Sequence, residues 1–303
     1  MFQVQKNYKK FDINKPIAII GAGVMGTKVA WASARSGIET RLYDIEYGKA
    51  KLSRDLVSTW SQGKESERVK EMLKTPDTIE KTLAGVQLVH ENIPEKLFNK
   101  IKLIKNISDS LSPEVFIGSN TSALRCSQLA SASDRPDKFF NLNFSDPRYS
   151  KLVELMVSDQ AAPETILFAH SWSQAIGMVV VETKKEQNGY IMNRIWRVIK
   201  KEALRQIEEG YASPQDIDRA WMLAFGTKIG PCGLMDDIGL HSVLAIEEVY
   251  YNQTKDPSDK PTKSLLKLVK EGNIGSAVGS GFYSYPDPEY ADSKFIKPND
   301  QIK

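Results

Sequence analysis

Ile17-Ala18-Ile19-Ile20-Gly21-Ala22-Gly23-Val24-Met25-Gly26 is the stretch whose reading decides the fold. Apolar residues of strand length run into a Gly-x-Gly-x-x-Gly turn. Val29, Ala30 and Ala34 follow at helical spacing, with Gly37 placed to end the helix. Gly21 permits the tight turn, and Gly23 leaves bare backbone that a pyrophosphate can approach. Gly26 lets the helix settle on the strand, while the N–H groups of its first turn, at Val24 and Met25, face the anion. A second strand, Glu39-Thr40-Arg41-Leu42-Tyr43, ends at Asp44, which lies 18 residues beyond Gly26. A carboxylate near that spacing accepts hydrogen bonds from a ribose 2′-hydroxyl and repels a 2′-phosphate. The unit therefore predicts a dinucleotide site that prefers NAD to NADP, with Gly21, Gly23, Val24, Met25, Gly26 and Asp44 as its contacts.

Further along, strand and helix patterns alternate. A charged helical stretch runs from Glu46 to Lys74, and Asp77–Thr82 reads as a short strand. Val86–Val89 is a strand ending at His90-Glu91-Asn92, and a helix begins at Pro94. Val115–Ser119, Phe139–Phe144, Leu152–Val157 and Met178–Val181 are further strands, and Pro163–Ile176 is a helix. This order predicts an α/β fold with a mostly parallel sheet covered on both faces. Ligands then gather at the carboxyl ends of the strands: Gly21–Gly26, Asp44, Glu91, Ser119–Ser122 and Asn143. Strand alternation sends His90 and Glu91 to opposite faces, so that if Glu91 faces the site, His90 does not.

The strand signal stops after Val181. Asn188-Gly189 marks a turn, and helices are expected at Ile191–Glu208, Ser213–Phe225, Leu234–Tyr250 and Thr262–Glu271. Ser213 caps the second of these, with Pro214 in its first turn. Two domains result, residues 1–186 and 187–303. A small helical domain carrying Trp196, Trp221, Phe225 and Tyr250 leaves apolar surface, which predicts a homodimer.

Composition narrows the class. The 41 Lys and Arg nearly balance the 38 Asp and Glu, a net charge of +3, which argues for neither nucleic acid nor a membrane surface as partner. Cys126 and Cys232 make no disulfide framework, and both read as inert packing residues. His90, His170 and His241 are scattered, so no metal site is expected. No apolar run reaches the about 20 residues needed to span a bilayer. Met1–Lys15 is polar and lysine-bearing, without the apolar core of a signal peptide. The expectation is a cytoplasmic protein with a small-molecule substrate.

With these motifs in place, the chain resembles the 3-hydroxyacyl-CoA dehydrogenase family from about Pro16 to Tyr285. The resemblance is carried by Gly21–Gly26, Asp44, the Glu91–Lys96 segment, Ser119-Asn120-Thr121-Ser122-Ala123-Leu124 and Lys151-Leu152-Val153-Glu154. It continues in Gly189-Tyr190-Ile191-Met192-Asn193-Arg194, Gly230-Pro231, Asp237-Ile238-Gly239-Leu240 and Gly281-Phe282-Tyr283. In size the chain is similar to members acting on small substrates without CoA, such as diketoreductase, gulonate dehydrogenase and lambda-crystallin. The resemblance implies a Rossmann-type doubly wound, mostly parallel sheet followed by an all-helical C-terminal domain. It also implies hydride transfer between NAD and the 3-hydroxyl carbon of a substrate, with Glu91 and Lys96 among the cofactor contacts.

In that family a histidine takes the hydroxyl proton, a glutamate orients it, and a serine and an asparagine bond the substrate's oxygens. By motif, the serine is Ser122, the glutamate Glu154 and the asparagine Asn193. The histidine's place holds Asn143, in Asn143-Phe144-Ser145-Asp146-Pro147, with Pro147 fixing the register. Asp146 stands where the family has an asparagine at the nicotinamide end of the cofactor. An amide cannot carry a proton at neutral pH, whereas an imidazole can. Two classes of function follow. In one, a dehydrogenase moves the proton through another group, Glu154 first among them. In the other, an NAD-binding homologue has lost or altered its redox chemistry and serves as a sensor or structural protein. Lys64, Lys70 and Lys74 are open to two readings, contacts for CoA phosphates or a solvated charged face.

Overall fold

The computed structural model describes residues 10–297, and the chain divides into two compact units after Ile191. Of the tail read at Met1–Lys15, residues 1–9 lie outside the described part. The remainder is tied down: Phe11 N donates to Ser171 Oγ at 3.0 Å, and the Gln87 side-chain amide donates to Lys15 O at 2.9 Å.

The first unit runs β1 (Ile17–Ile20), α1 (Val24–Arg35), β2 (Thr40–Tyr43), α2 (Tyr47–Val57), α3 (Gly63–Met72), β3 (Leu73–Lys74), α4 (Ile79–Leu83) and β4 (Leu88–Glu91). It continues with α5 (Leu97–Ser108), β5 (Phe116–Ser119), α6 (Cys126–Ala130), β6 (Phe139–Phe144), β7 (Leu152–Met156), α7 (Pro163–Ala175) and β8 (Val179–Glu182). The eight strands form one sheet in the order β3-β2-β1-β4-β5-β6-β7-β8. All neighbours are parallel except β6 and β7. Side chains alternate across β1, so Ile17 and Ile19 enter one apolar core while Ala18 and Ile20 enter the other. The strand order reverses between β1 and β4, and this opens a crevice at their carboxyl ends.

Five elements differ from the sequence expectation: the helix placed at Pro94 begins three residues later, at Leu97, the helical stretch to Lys74 ends in the short strand β3, and three more follow. Asp77–Thr82 is not a strand: Thr78 accepts from Lys81 N at 3.3 Å and starts α4, which places Ile79 and Leu83 on one helical face. β4 lies two residues later than Val86–Val89: Val86 N is still engaged in the turn after α4, on Leu83 O at 3.5 Å, and Gln87 N makes the first bond to the neighbouring strand's side, on Pro16 O at 3.0 Å. The helix read at Leu234–Tyr250 is two helices, broken at Gly239, whose φ of 91° ends the first of them.

The second unit holds α8 (Ile191–Glu208), α9 (Pro214–Phe225), α10 (Pro231–Ile238), α11 (Leu240–Thr254) and α12 (Lys263–Lys270). Among the described residues its only β pairing is isolated bridges at Gly275, Ser280 and Ser284. Two buried carboxylates clasp it. Asp218 accepts from Cys232 N at 2.7 Å and Gly233 N at 2.9 Å, and Asp236 accepts from Phe282 N at 2.9 Å and Tyr283 N at 3.0 Å. A Cβ on Gly230 would lie 2.5 Å from Asp218, and one on Gly281 would lie 2.1 Å from an Asp236 oxygen. The glycines of two motifs quoted above thus serve close packing in this unit.

Candidate active site

A cleft of about 1370 Å³ opens at the carboxyl ends of the first unit's strands. Its floor is the glycine turn. Gly21 has a φ of 99°, and a Cβ on Gly26 would stand 1.8 Å from Gly21 O, so the turn closes only on hydrogen at both positions. Gly23 differs: a Cβ there would meet no protein atom within 4 Å. The open space above it faces the N-terminal turn of α1, where a diphosphate finds unpaired backbone N–H groups. Asp44 completes this end of the cleft. It accepts from Ala22 N at 2.8 Å and from Glu46 N at 2.9 Å, which holds the carboxylate at the end of β2. Arg41 bonds Glu39 and the Lys81 carbonyl, so it is turned away from any 2′-phosphate. Val24, Met25, Gly21, Gly23 and Asp44 all line the cleft, and this set fits a dinucleotide.

Glu91 and Lys96 fall elsewhere. Glu91 is wholly buried: its carboxylate takes two bonds from Lys100 Nζ, at 2.8 and 2.9 Å, and one from Ser119 Oγ. Lys96 is exposed at the start of α5, away from the cleft wall. Two residues that sequence reasoning passed over take their place. Lys100 is fully buried between Glu91 and Glu95, and Glu95 lines the cleft. One Glu95 oxygen accepts from Ser122 N and Ala123 N, each at 2.9 Å, and from Thr121 Oγ1. Glu95 thereby fixes the loop that presents Ser122, also in the cleft wall. Lys100 was the available signal: three residues after Leu97 and four before Ile104, it shares their face of α5, where a charge is buried only with a partner.

Asn143 stands in the cleft wall, and Glu154, which does not line the cleft, lies behind it. β6 and β7 pair antiparallel with these two residues directly opposed. The Asn143 amide donates to a Glu154 carboxylate oxygen at 3.5 Å, and Glu154 is 2% exposed. Asn143 lines the cleft. A hydrogen-bond chain anchors the end of β6 beside it. Phe144 N donates to Asn120 Oδ1 at 2.9 Å, Asn120 Nδ2 to Asn92 Oδ1 at 2.9 Å, and Asn92 Nδ2 meets His90 Nδ1 at 3.2 Å. Asn92 Nδ2 also donates to His90 O, which fixes it as the amino end, so His90 Nδ1 is the acceptor. His90 is fully buried among Phe140, Phe144 and Trp172. Burial, reinforced by the Lys100 charge, pushes its pKa from 6.5 down to about 3. It is a neutral packing histidine that buttresses the cleft.

Asp146 does not itself line the cleft. Its carboxylate is held side-on by Arg148, with Nε at 3.0 Å and Nη2 at 2.7 Å, and by Lys28 Nζ at 2.7 Å. Partial burial alone pushes the Asp146 carboxyl up, but the two cations outweigh it and hold it well below the usual carboxylate range. Arg148 and Lys28 do line the cleft, and neither was singled out from sequence. Asn193 lies in the first turn of α8 in the second unit. Cys126 and Cys232 are buried, and burial pushes the Cys126 thiol up to about 12. Among the described residues no cluster of His, Cys, Asp and Glu forms a metal site, and no helix is long and apolar enough to cross a membrane.

A doubly wound sheet, a glycine turn open to a diphosphate and a polar pair at the strand ends define a dinucleotide-dependent oxidoreductase. The chain belongs to the 3-hydroxyacyl-CoA dehydrogenase family. The model of that family's NAD binding domain matches residues 16–187, and that of its C-terminal domain matches residues 189–285. The chain is 30% identical over 282 residues to a probable 3-hydroxybutyryl-CoA dehydrogenase of Bacillus subtilis, covering 90% of this chain and 98% of that protein. It is 32% identical over 289 residues to the mitochondrial hydroxyacyl-coenzyme A dehydrogenase of Homo sapiens, covering 90% and 92%. Its fold superposes on the (S)-3-hydroxybutyryl-CoA dehydrogenase PaaH1 of Ralstonia eutropha with a TM-score of 0.81 at 28% identity, covering 90% of this chain and all of that one. The protein is an NAD-dependent oxidoreductase of this family, acting on a CH–OH group.

Proposed function

We propose that the protein interconverts a 3-hydroxy and a 3-oxo substrate, acyl-CoA or free acid, with Glu154 as the proton carrier. The observation that supports this reading best is that Asn143, in the cleft wall, bonds the Glu154 carboxylate directly opposite it across β6 and β7. NAD would supply the hydride acceptor, held by Gly21, Gly23, Val24, Met25 and Asp44, with Gly26 closing the turn beneath them. Ser122 and Asn143 present hydrogen-bonding groups to the substrate oxygen, and Asn193 is assigned the same task. Asn143 stays neutral and cannot relay a proton, so the hydroxyl proton passes to the Glu154 carboxylate, directly or through one water. Glu91 acts on the cofactor site only through Lys100 and Glu95, Lys96 only as the residue that opens α5, and Asp146 through Arg148. A cytoplasmic homodimer is the assembly we expect, supported by the exposed apolar side chains Ile195, Val198, Leu223 and Phe225 of the helical unit.

The test is NADH oxidation against acetoacetyl-CoA, free 3-oxo acids and β-diketones at several pH values. Turnover of at least one class supports the proposal. Tight NADH binding with no turnover of any ketone contradicts it and favours a non-redox role.

A further inference from the structure

We propose that Arg148, braced by Asp146 and Trp60 and flanked by Lys28, is a subsite for the free carboxylate of a short 3-oxo or 3-hydroxy acid, so that the preferred substrate is the acid and not its CoA thioester. This inference rests on the redox reading above and narrows its substrate.

Four observations lead there. Arg148 and Lys28 line the same cleft as Asn143 and Ser122. Two cations share the single carboxylate of Asp146, which leaves one surplus positive charge in that wall. The Arg148 side chain is pre-set: Asp146 grips its Nε and Nη2 edge, and its Cζ lies 4.7 Å from the Trp60 ring centroid and 4.9 Å from that of Tyr149. Its Nη1 group makes no hydrogen bond among the described residues, so the Nη1 and Nη2 end of the fork is available to a second carboxylate.

Arg148 stands five residues past Asn143, in a turn closed by Tyr149 N and Ser150 N on Asp146 O, at 3.0 and 2.9 Å. A free 3-oxo acid carries its carboxylate two bonds from the reacting carbonyl, whereas a thioester is neutral at that distance. An ordered, surplus cation in the cleft that Asn143 also lines therefore finds a counter-charge on the acid portion of the substrate only in the free acid. The lysines considered for CoA phosphates, Lys64, Lys70 and Lys74, are all exposed and lie outside the cleft wall.

The NADH complex allows a binding test without turnover, because the reduced cofactor cannot oxidise a 3-hydroxy compound. Calorimetric titration of the NADH-loaded protein with 3-hydroxybutyrate, its methyl ester and 3-hydroxybutyryl-CoA is compared in the parent, Arg148→Met, Arg148→Lys and Lys28→Met. A charged hydrogen bond of ordinary strength predicts that the acid binds on the order of 10–100-fold tighter than the ester. Arg148→Met should erase that preference, Arg148→Lys should restore part of it, and the ester should bind alike throughout. Equal binding of acid and ester in the parent overturns the proposal. So does weakening confined to 3-hydroxybutyryl-CoA in Arg148→Met, which assigns the cation to a CoA phosphate. Acid preference without NADH oxidation by any ketone upholds the subsite and refutes the redox reading; NADH oxidation with equal kcat/KM for acid and ester does the reverse.

Discussion

His90 is held neutral inside the first unit, and its replacement by glutamine should change how acid unfolds the protein. The ring is fully buried, with Trp172 5.0 Å and Phe144 5.6 Å away, and a second proton would have to go on Nδ1, which already accepts from Asn92 Nδ2. Burial first, and the Lys100 charge second, lower its pKa from 6.5 to about 3. Below about pH 6.5 the unfolded chain takes up a proton that the folded chain refuses, so stability is present at neutral pH and is lost as the pH falls. At pH 5 the unfolded histidine is almost wholly charged and the folded one is not, a difference of about 2 kcal/mol. His90→Gln keeps an acceptor for Asn92 Nδ2 and removes the titration. Urea unfolding at pH 7.5 and pH 5, followed by tryptophan fluorescence, gives the change in stability for each protein. The parent should lose about 2 kcal/mol more than His90→Gln across that interval, and every other titration cancels in the comparison. Equal losses would refute the burial argument.

Gly23→Ala and Gly26→Ala should separate binding from folding. The first adds a methyl to open space and should keep the urea midpoint while weakening NADH on the order of 10–100-fold by fluorescence titration. The second drives a Cβ into Gly21 O and should cost about 1–3 kcal/mol of stability. Asp44→Asn should narrow the preference for NADH over NADPH on the order of 10-fold in parallel titrations, because the charge facing a 2′-phosphate is gone. Asp218→Asn turns one of two acceptors toward Cys232 N or Gly233 N into an amino group, and should destabilise the helical unit by about 1–3 kcal/mol in thermal unfolding.

The fold was legible because its signals are periodic and local. Phe139–Phe144 and Ile191–Glu208 end where their patterns end, and Gly21–Gly26 could be read glycine by glycine. Failures came where a side chain overrode the period, as with Thr78 capping α4 and Gly239 splitting α10 from α11. The Asn143–Glu154 pair was visible only through the resemblance, since register across an antiparallel pair is a tertiary fact. Glu91 misled for a related reason: a charge at a strand end is exposed or buried according to a partner, and Lys100 sits nine residues away. Arg148 carried no motif, and its place beside Asp146, Lys28 and Trp60 comes from three separate segments.

Glu154 is the proposed proton carrier, beside an Asn143 that stands where the resemblance to the family implies a histidine. That claim is tested most directly by kcat/KM on the best ketone, with NADH saturating, for the parent, Asn143→His and Glu154→Gln. A general base contributes about 10²–10⁴-fold, so an imidazole placed opposite a carboxylate already in place should raise activity 10-fold or more. Glu154→Gln should abolish activity in both backgrounds. A fall on Asn143→His from an already high parent activity, or full activity in Glu154→Gln, would contradict the claim and show a site built around the amide.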